Sequence, residues 1–330
     1  MGINLRGRSI LKPADLSPLE LHYVLDLSRD LRSQKRSGSL PPLLAGKSVA
    51  LLFEKSSTRT RAAFAVACAQ LGAHPEFLGK DDIQFGKKES LADTARVLGR
   101  MFDGIEFRGY AHDVVEGLAR YAGVPVYNGL TDLWHPTQIL ADLMTIQDRV
   151  PNLRHARLAY LGDARNNMGN SLLVAAATAG MDFRMAAPRS LFPAAEIVAE
   201  AEAIAAGTGA RLTITEEIGK AVDGVDAIYT DVWASMGEES KLRERIELLK
   251  PYQVTAGVMA QSHNPDTVFL HCLPAIHDAQ TTLGAQVEKD YGLVGLEVTD
   301  EVFESAHSVV FDQAENRLHT IAALLVATLA

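Results

Sequence analysis

Two cysteines in 330 residues are too few for a disulfide framework, and Cys68 and Cys272 lack metal-ligand spacing, so both that scaffold and a cysteine metal centre are excluded. No apolar run approaches the ~20 residues that cross a bilayer. The stretch "MGINLRGRSILKPADL" holds neither an apolar leader nor an Arg- and Ser-rich amphipathic run, and Arg6 stands where a myristoylation signal takes Ser or Thr. A positive excess is missing too: the formal net charge is -9, which argues against a nucleic-acid backbone as partner. There is no Gly-x-x-x-x-Gly-Lys-Ser/Thr loop, and "LGDARNNMGNS" offers Gly162 and Gly169 without Gly-x-Gly-x-x-Gly, so nucleotides and dinucleotides are not implied. These absences, with no internal repeat, predict a soluble cytoplasmic protein with neither nucleic acid nor membrane as partner.

What is present is an ordinary globular composition, 47% hydrophobic and 22% charged, in a chain long enough for two domains. Ser17, Pro18 and Glu20 announce the first helix as N-cap, first helical residue and capping-box partner. From there short apolar runs alternate with longer amphipathic ones, the pattern of parallel strands joined by crossover helices. Strands are predicted at "SVALLF", "GIEFRG", "VPVYNG", "RLAYLGD", "FRMAAP", "RLTITE", "DAIYTDV" and "VFLHCLP". The fold class is therefore α/β, with two domains, each a parallel β-sheet flanked by helices, and an active site in the interdomain cleft. Pro151 marks the boundary, giving residues 1–149 and 150–330, and a last apolar-faced helix, about 312–330, could dock back onto the first domain.

Ligands of open parallel sheets bind where the loops after the strands converge. Six polar segments fall at such positions: Ser57 to Arg61, Arg108, "WHPTQ", "GDARNNMGN", "WASMGEE" and "HCLP". A helix start offers unpaired N–H groups and about half a positive charge, so the hydroxyls of Ser57, Thr58 and Thr60 with the Arg59 fork suit a small phosphate compound. The plainer reading is a helix cap with Arg59 and Arg61 facing water. His135 can donate to a carbonyl oxygen, and Gln138, after Pro136 and Thr137, can both donate to and accept from an amide. Asp231 could hold an ammonium or merely cap a turn; Asn167 could meet a carboxylate, while Asn166 and Asn170 could simply satisfy a helix start. Cys272 reaches the rim, whereas core packing explains Cys68.

Taken together, "SSTRTR", "HPTQ", "DVWASMGEE" and "HCLPA" resemble the ornithine carbamoyltransferase family, supported from "KESLADTARVLGRM" to "FDQAENRLHTI" over nearly the whole chain. The first two are shared with aspartate carbamoyltransferases; the last two mark the ornithine side. The resemblance implies carbamoyl phosphate held by Ser57, Thr58, Arg59 and Thr60 with Arg108, His135, Pro136, Thr137, Gln138 and Arg317. It also implies backbone carbonyls of Cys272 and Leu273 at the amino group, and Gln84 reaching a neighbouring subunit of a trimer or an assembly of trimers. Asn167, Asp231, Ser235 and Met236 match the ornithine-binding positions. The catalytic set is then Arg108, His135, Cys272 and Asp231, with no metal and no cofactor required. Lys87 departs from the histidine of some members, which clouds the intersubunit contact. Putrescine or an acylated ornithine in place of ornithine, and a non-catalytic sensor, stay open, as do the direction of arginine metabolism and the choice between trimer and dodecamer.

Overall fold

Five of the six residues of β1 (Ser48–Phe53) are buried, as a strand covered on both faces requires. The computed structural model describes residues 2–83, 88–233 and 241–330. The chain divides into two compact units, Met1–Met144 with Glu315–Ala330, and Thr145–Ala314.

In the first unit, α1 (Pro18–Arg36) starts at the Ser17 capping box read from the sequence. After β1 come α2 (Thr58–Gln70), β2 (His74–Gly79), α3 (Leu91–Met101), β3 (Gly104–Arg108), α4 (His112–Ala122), β4 (Val126–Leu130) and α5 (Pro136–Gln147). The strands are all parallel in the order β2-β1-β3-β4. Strand β2 is absent from the sequence-based expectation because Pro75 breaks its pattern; as an edge strand it tolerates the missing N–H. Ala50, Leu52, Ile105, Phe107, Val115 and Leu118 form its core beneath α3 and α4.

Helices α3 and α4 approach so closely that a Cβ on Gly99 would lie 1.8 Å from the Ala122 carbonyl oxygen. Gly99→Ala is therefore expected to destabilise by about 1–3 kcal/mol despite the better helix propensity of alanine, read as a lower thermal midpoint. An unchanged midpoint would show that the two helices separate without cost.

The second unit follows with β5 (Arg157–Leu161), α6 (Asn167–Ala179), β6 (Asp182–Ala186), α7 (Ala195–Thr208), β7 (Arg211–Thr215), α8 (Ile218–Val222) and β8 (Ala227–Thr230). Then come α9 (Leu242–Leu249), α10 (Ala256–Ala260), β9 (Val268–His271), α11 (Thr282–Tyr291), α12 (Asp300–Phe303) and α13 (Val310–Leu329). Its sheet is parallel in the order β7-β6-β5-β8-β9. Leu161, Ile228, Trp233, Phe269 and Val298 anchor one core cluster. From Glu315 onward α13 belongs to the first unit, where Tyr127 Oη and Thr328 Oγ1 are 2.5 Å apart. None of the described helices is long and apolar enough to cross a membrane.

The direction in which successive strands are laid down across the sheet reverses between β1 and β3 in one sheet and between β5 and β8 in the other, although neighbouring strands stay parallel. At such switch points the loops after the strands diverge and leave room for a ligand. At the first pair, Ser57 stands in the loop after β1 and Arg108 ends β3; the loops carrying Asn166 and Asp231 leave the second pair.

Candidate functional site

Ser57 caps α2 with extended backbone, its Oγ accepting from the Thr60 N–H at 3.2 Å. That arrangement exposes the helix start and turns Thr60, fully buried, inward. Arg108 donates to Thr60 Oγ1 at 3.2 Å, and Arg317, from α13, donates to the same oxygen at 2.7 Å. A hydroxyl has two acceptor sites and one proton. With both sites taken by guanidiniums, the Thr60 proton is the group left to offer outward.

Arg317 also reaches Thr137 Oγ1 at 3.5 Å, and Thr137 lies 3.5 Å from His135 Nδ1. Burial pushes the His135 imidazole well below its usual range, and Arg317, Arg108 and Arg59 push it the same way. His135 is thus a neutral ring, able to donate one hydrogen bond without carrying a charge of its own. Pro136 opens α5, and Gln138 on its first turn is almost wholly buried.

Beneath these groups lies Glu106, which the sequence reading passed over as part of a strand. It is fully buried, and neither carboxyl oxygen has a hydrogen-bond partner among the described residues. Burial drives its pKa far up, against the opposing pull of Arg108 and Arg317. Gly129 makes room for it: a Cβ there would lie 1.8 Å from Glu106 Oε1. Lys55 is a second unread residue. Its ammonium lies 2.6 Å from Asp132 Oδ1 and 4.0 Å from the Tyr110 ring centre, which ties the segments after β1, β3 and β4 together.

Arg61 does not join the group; it stacks on the Phe77 ring at 3.5 Å. Thr58 starts α2 at the surface and Arg59 is half-buried beside it. Gln84 and Lys87 lie outside the described residues, as do Ser235 and Met236.

In the second unit, Asp231 follows β8 and is buried. Cys272 Sγ donates to its Oδ1 at 2.9 Å, the Val232 N–H to the same atom at 2.8 Å, and Asn166 Nδ2 to Oδ2 at 3.1 Å. Burial raises the Asp231 pKa against the lowering influence of the Cys272 and Val232 hydrogen bonds, which makes it a stronger base than an ordinary carboxylate. Asn166 is more than the helix start expected: it caps α6 through Gly169 N–H at 2.8 Å and holds Asp231 as well. Asn167 opens α6 next to it, half-buried.

Leu273 has φ +58°, a left-handed conformation that costs a leucine about 1 kcal/mol. Its N–H donates to His271 Nδ1 at 2.8 Å, so that nitrogen is unprotonated, while Nε2 lies 3.3 Å from Glu297 Oε1 without a hydrogen bond to it. Glu297 takes the Ile276 N–H at 2.7 Å. The buried His271 and Glu297 thereby fix the backbone on both sides of Pro274. His271 stands in the quoted "HCLP", but Glu297, far along the chain, left no local signal.

Guanidiniums and hydroxyls gathered at a helix start on an α/β sheet, without a nucleotide loop, point to the class of α/β proteins that take a small anionic ligand. Comparison narrows the class to a family. Residues 8–148 match the carbamoyl-P binding domain of aspartate/ornithine carbamoyltransferase and residues 154–328 match its Asp/Orn binding domain. The chain belongs to the aspartate/ornithine carbamoyltransferase family. A catabolic ornithine carbamoyltransferase of Bacillus licheniformis is 58% identical over 99% of this chain and 98% of its own. The ornithine carbamoyltransferase structure from Pyrococcus furiosus is 40% identical with a TM-score of 0.91, covering 99% of each chain. An anabolic one from Campylobacter jejuni is 34% identical, with a TM-score of 0.85, covering 96% of this chain and 97% of that one.

Proposed function

We propose that the protein is an ornithine carbamoyltransferase, moving the carbamoyl group of carbamoyl phosphate to the side-chain amine of L-ornithine to give L-citrulline and phosphate. The observation that carries this reading is the meeting of Arg108 and Arg317 on Thr60, whose remaining proton and flanking charges suit an oxyanion beside a phosphate.

The start of α2 with Ser57, Thr58 and Arg59 takes the phosphate, and Arg108 and Arg317 share its charge. Neutral His135 donates to the carbamoyl oxygen together with Arg108 and Thr60, and Gln138 receives the amino group. Asn167, Ser235 and Met236 hold ornithine by its amino-acid head. Ornithine's side-chain amine resembles lysine, with a pKa of ~10.4, so it arrives protonated. Asp231, its basicity raised by burial and its orientation set by Cys272 and Asn166, accepts that proton. The freed lone pair attacks the carbamoyl carbon, the bond from that carbon to the bridging phosphate oxygen breaks, the electron pair leaves with phosphate, and the departing phosphate takes the second proton from the newly bonded nitrogen. Cys272 either relays the proton or holds Asp231 for it.

The catabolic names of the relatives favour the direction from citrulline and phosphate to carbamoyl phosphate, hence arginine breakdown rather than synthesis. We also read the protein as a cytoplasmic trimer or an assembly of trimers, which mass measurement in solution decides.

Purified protein given carbamoyl phosphate with ornithine, putrescine, acetylornithine or aspartate in parallel should form ureido product with ornithine alone. Turnover of another amine reassigns the substrate, and none with any amine supports the sensor. Lys55→Met is expected to raise the KM for carbamoyl phosphate about tenfold, the effect of slightly misplacing three loops, with the KM for ornithine little changed. An equal rise in both constants would assign Lys55 to general stability.

A further inference from the structure

Gln138 and Asp142 stand four residues apart on α5, hence on one face of the helix. Both are almost completely buried. Gln138 Nε2 donates to Asp142 Oδ1 at 2.8 Å. A carboxylate oxygen accepts, so the amide nitrogen must face it, and Oε1 is turned the other way. There Oε1 is shut off from solvent and receives no hydrogen bond among the described residues.

Buried acceptors are nearly always satisfied, and one left open at a ligand site calls for a ligand donor. The neighbours of Gln138 are already the cradle: Thr137 touches Arg317, and the Gln138 N–H donates to the His135 carbonyl at 3.1 Å. If the ligand is carbamoyl phosphate, the reading on which this step rests, its phosphate and carbonyl oxygens accept and only its amino group donates. The amino group is also all that separates a carbamoyl from an acetyl group of nearly the same shape.

We propose that Asp142 is a positioning residue that locks the Gln138 amide with its oxygen toward the carbamoyl amino group, and that this pair makes the site choose carbamoyl phosphate over acetyl phosphate. Acetyl phosphate would leave Gln138 Oε1 buried against a methyl group. A site built to hydrogen-bond its ligand rejects the analogue that lacks the group.

The test is calorimetric binding of carbamoyl phosphate, acetyl phosphate and inorganic phosphate to the full-length protein and its variants. The wild type should prefer carbamoyl to acetyl phosphate by about ten- to a hundredfold, the effect of one unpaired buried acceptor. In Asp142→Asn the new amide both donates and accepts, so Gln138 is free to turn over. Its affinity for carbamoyl phosphate should fall about tenfold, while affinities for acetyl and inorganic phosphate and the KM for ornithine hold. Equal weakening of all three anions, or unchanged preference in a folded variant, overturns the proposal. If Asp142→Asn does not fold, Gln138→Met carries the test, because removing the acceptor must abolish the preference and a retained preference overturns it. A wild type that binds carbamoyl phosphate no better than inorganic phosphate and makes no ureido product refutes the function itself. One that makes citrulline but binds both acyl phosphates alike refutes only this inference.

Discussion

Arg59→Ala should weaken carbamoyl phosphate binding by about 10²–10³-fold, the loss of a charge-assisted pair of hydrogen bonds, while the protein stays folded. The second half of that expectation follows from position. Arg59 lies in the first turn of α2, where the helix already carries positive partial charge, so a guanidinium there is unfavourable for the helix itself. Alanine removes the repulsion and has the better helix propensity, so the unliganded variant should keep its fold. The proof is calorimetry of carbamoyl phosphate beside a melting curve. Unchanged affinity would take Arg59 out of the site, and a collapsed midpoint would make its role structural.

Asp231→Asn should cut turnover by about 10²–10⁴-fold, the range of a lost general base, with smaller changes in either KM. The isosteric amide can still accept from Cys272 and the Val232 N–H, but it cannot take a proton from ornithine. The pH profile carries the sign. Burial raises the Asp231 pKa, so the ionised base is present only above that raised value, and wild-type turnover falls as pH drops through it. The acid limb therefore begins at a higher pH than an ordinary carboxylate would give. In the asparagine variant that limb disappears, leaving the slow rise set by ornithine's own amine. Near-wild-type turnover in the variant would move the proton acceptor elsewhere, with Cys272 next to be tested by serine.

Much of this site was legible because its residues are local. Ser57 to Thr60 and His135 to Gln138 are contiguous and stand at helix starts, so one rule about unsatisfied N–H groups reads both. Arg317 was reached only through resemblance, since nothing in its helical surroundings shows that it meets Thr60, 257 residues earlier. Glu106, His271 and Glu297 hid inside or beyond apolar runs, where period-two patterning makes a buried carboxyl look like an outward residue. Lys55 was passed over for a related reason, as lysines are seldom buried and its partners, Tyr110 and Asp132, sit in other loops. Strand β2 escaped because Pro75 argues against a strand until its place at the sheet edge is known.

The first unit is discontinuous in sequence, and that has a consequence for how the protein is made. Residues 145–314 emerge from the ribosome as one uninterrupted unit, while the unit begun by residues 1–144 waits for residues 315–330. Those late residues bring Arg317, one of the two guanidiniums on Thr60, and Thr328, the partner of Tyr127. The anion cradle is therefore assembled last, after every other part of the chain can have folded. A nascent or truncated chain ending before Arg317 would hold the contiguous "SSTRTR" and "HPTQ" segments intact and still lack a finished anion cradle.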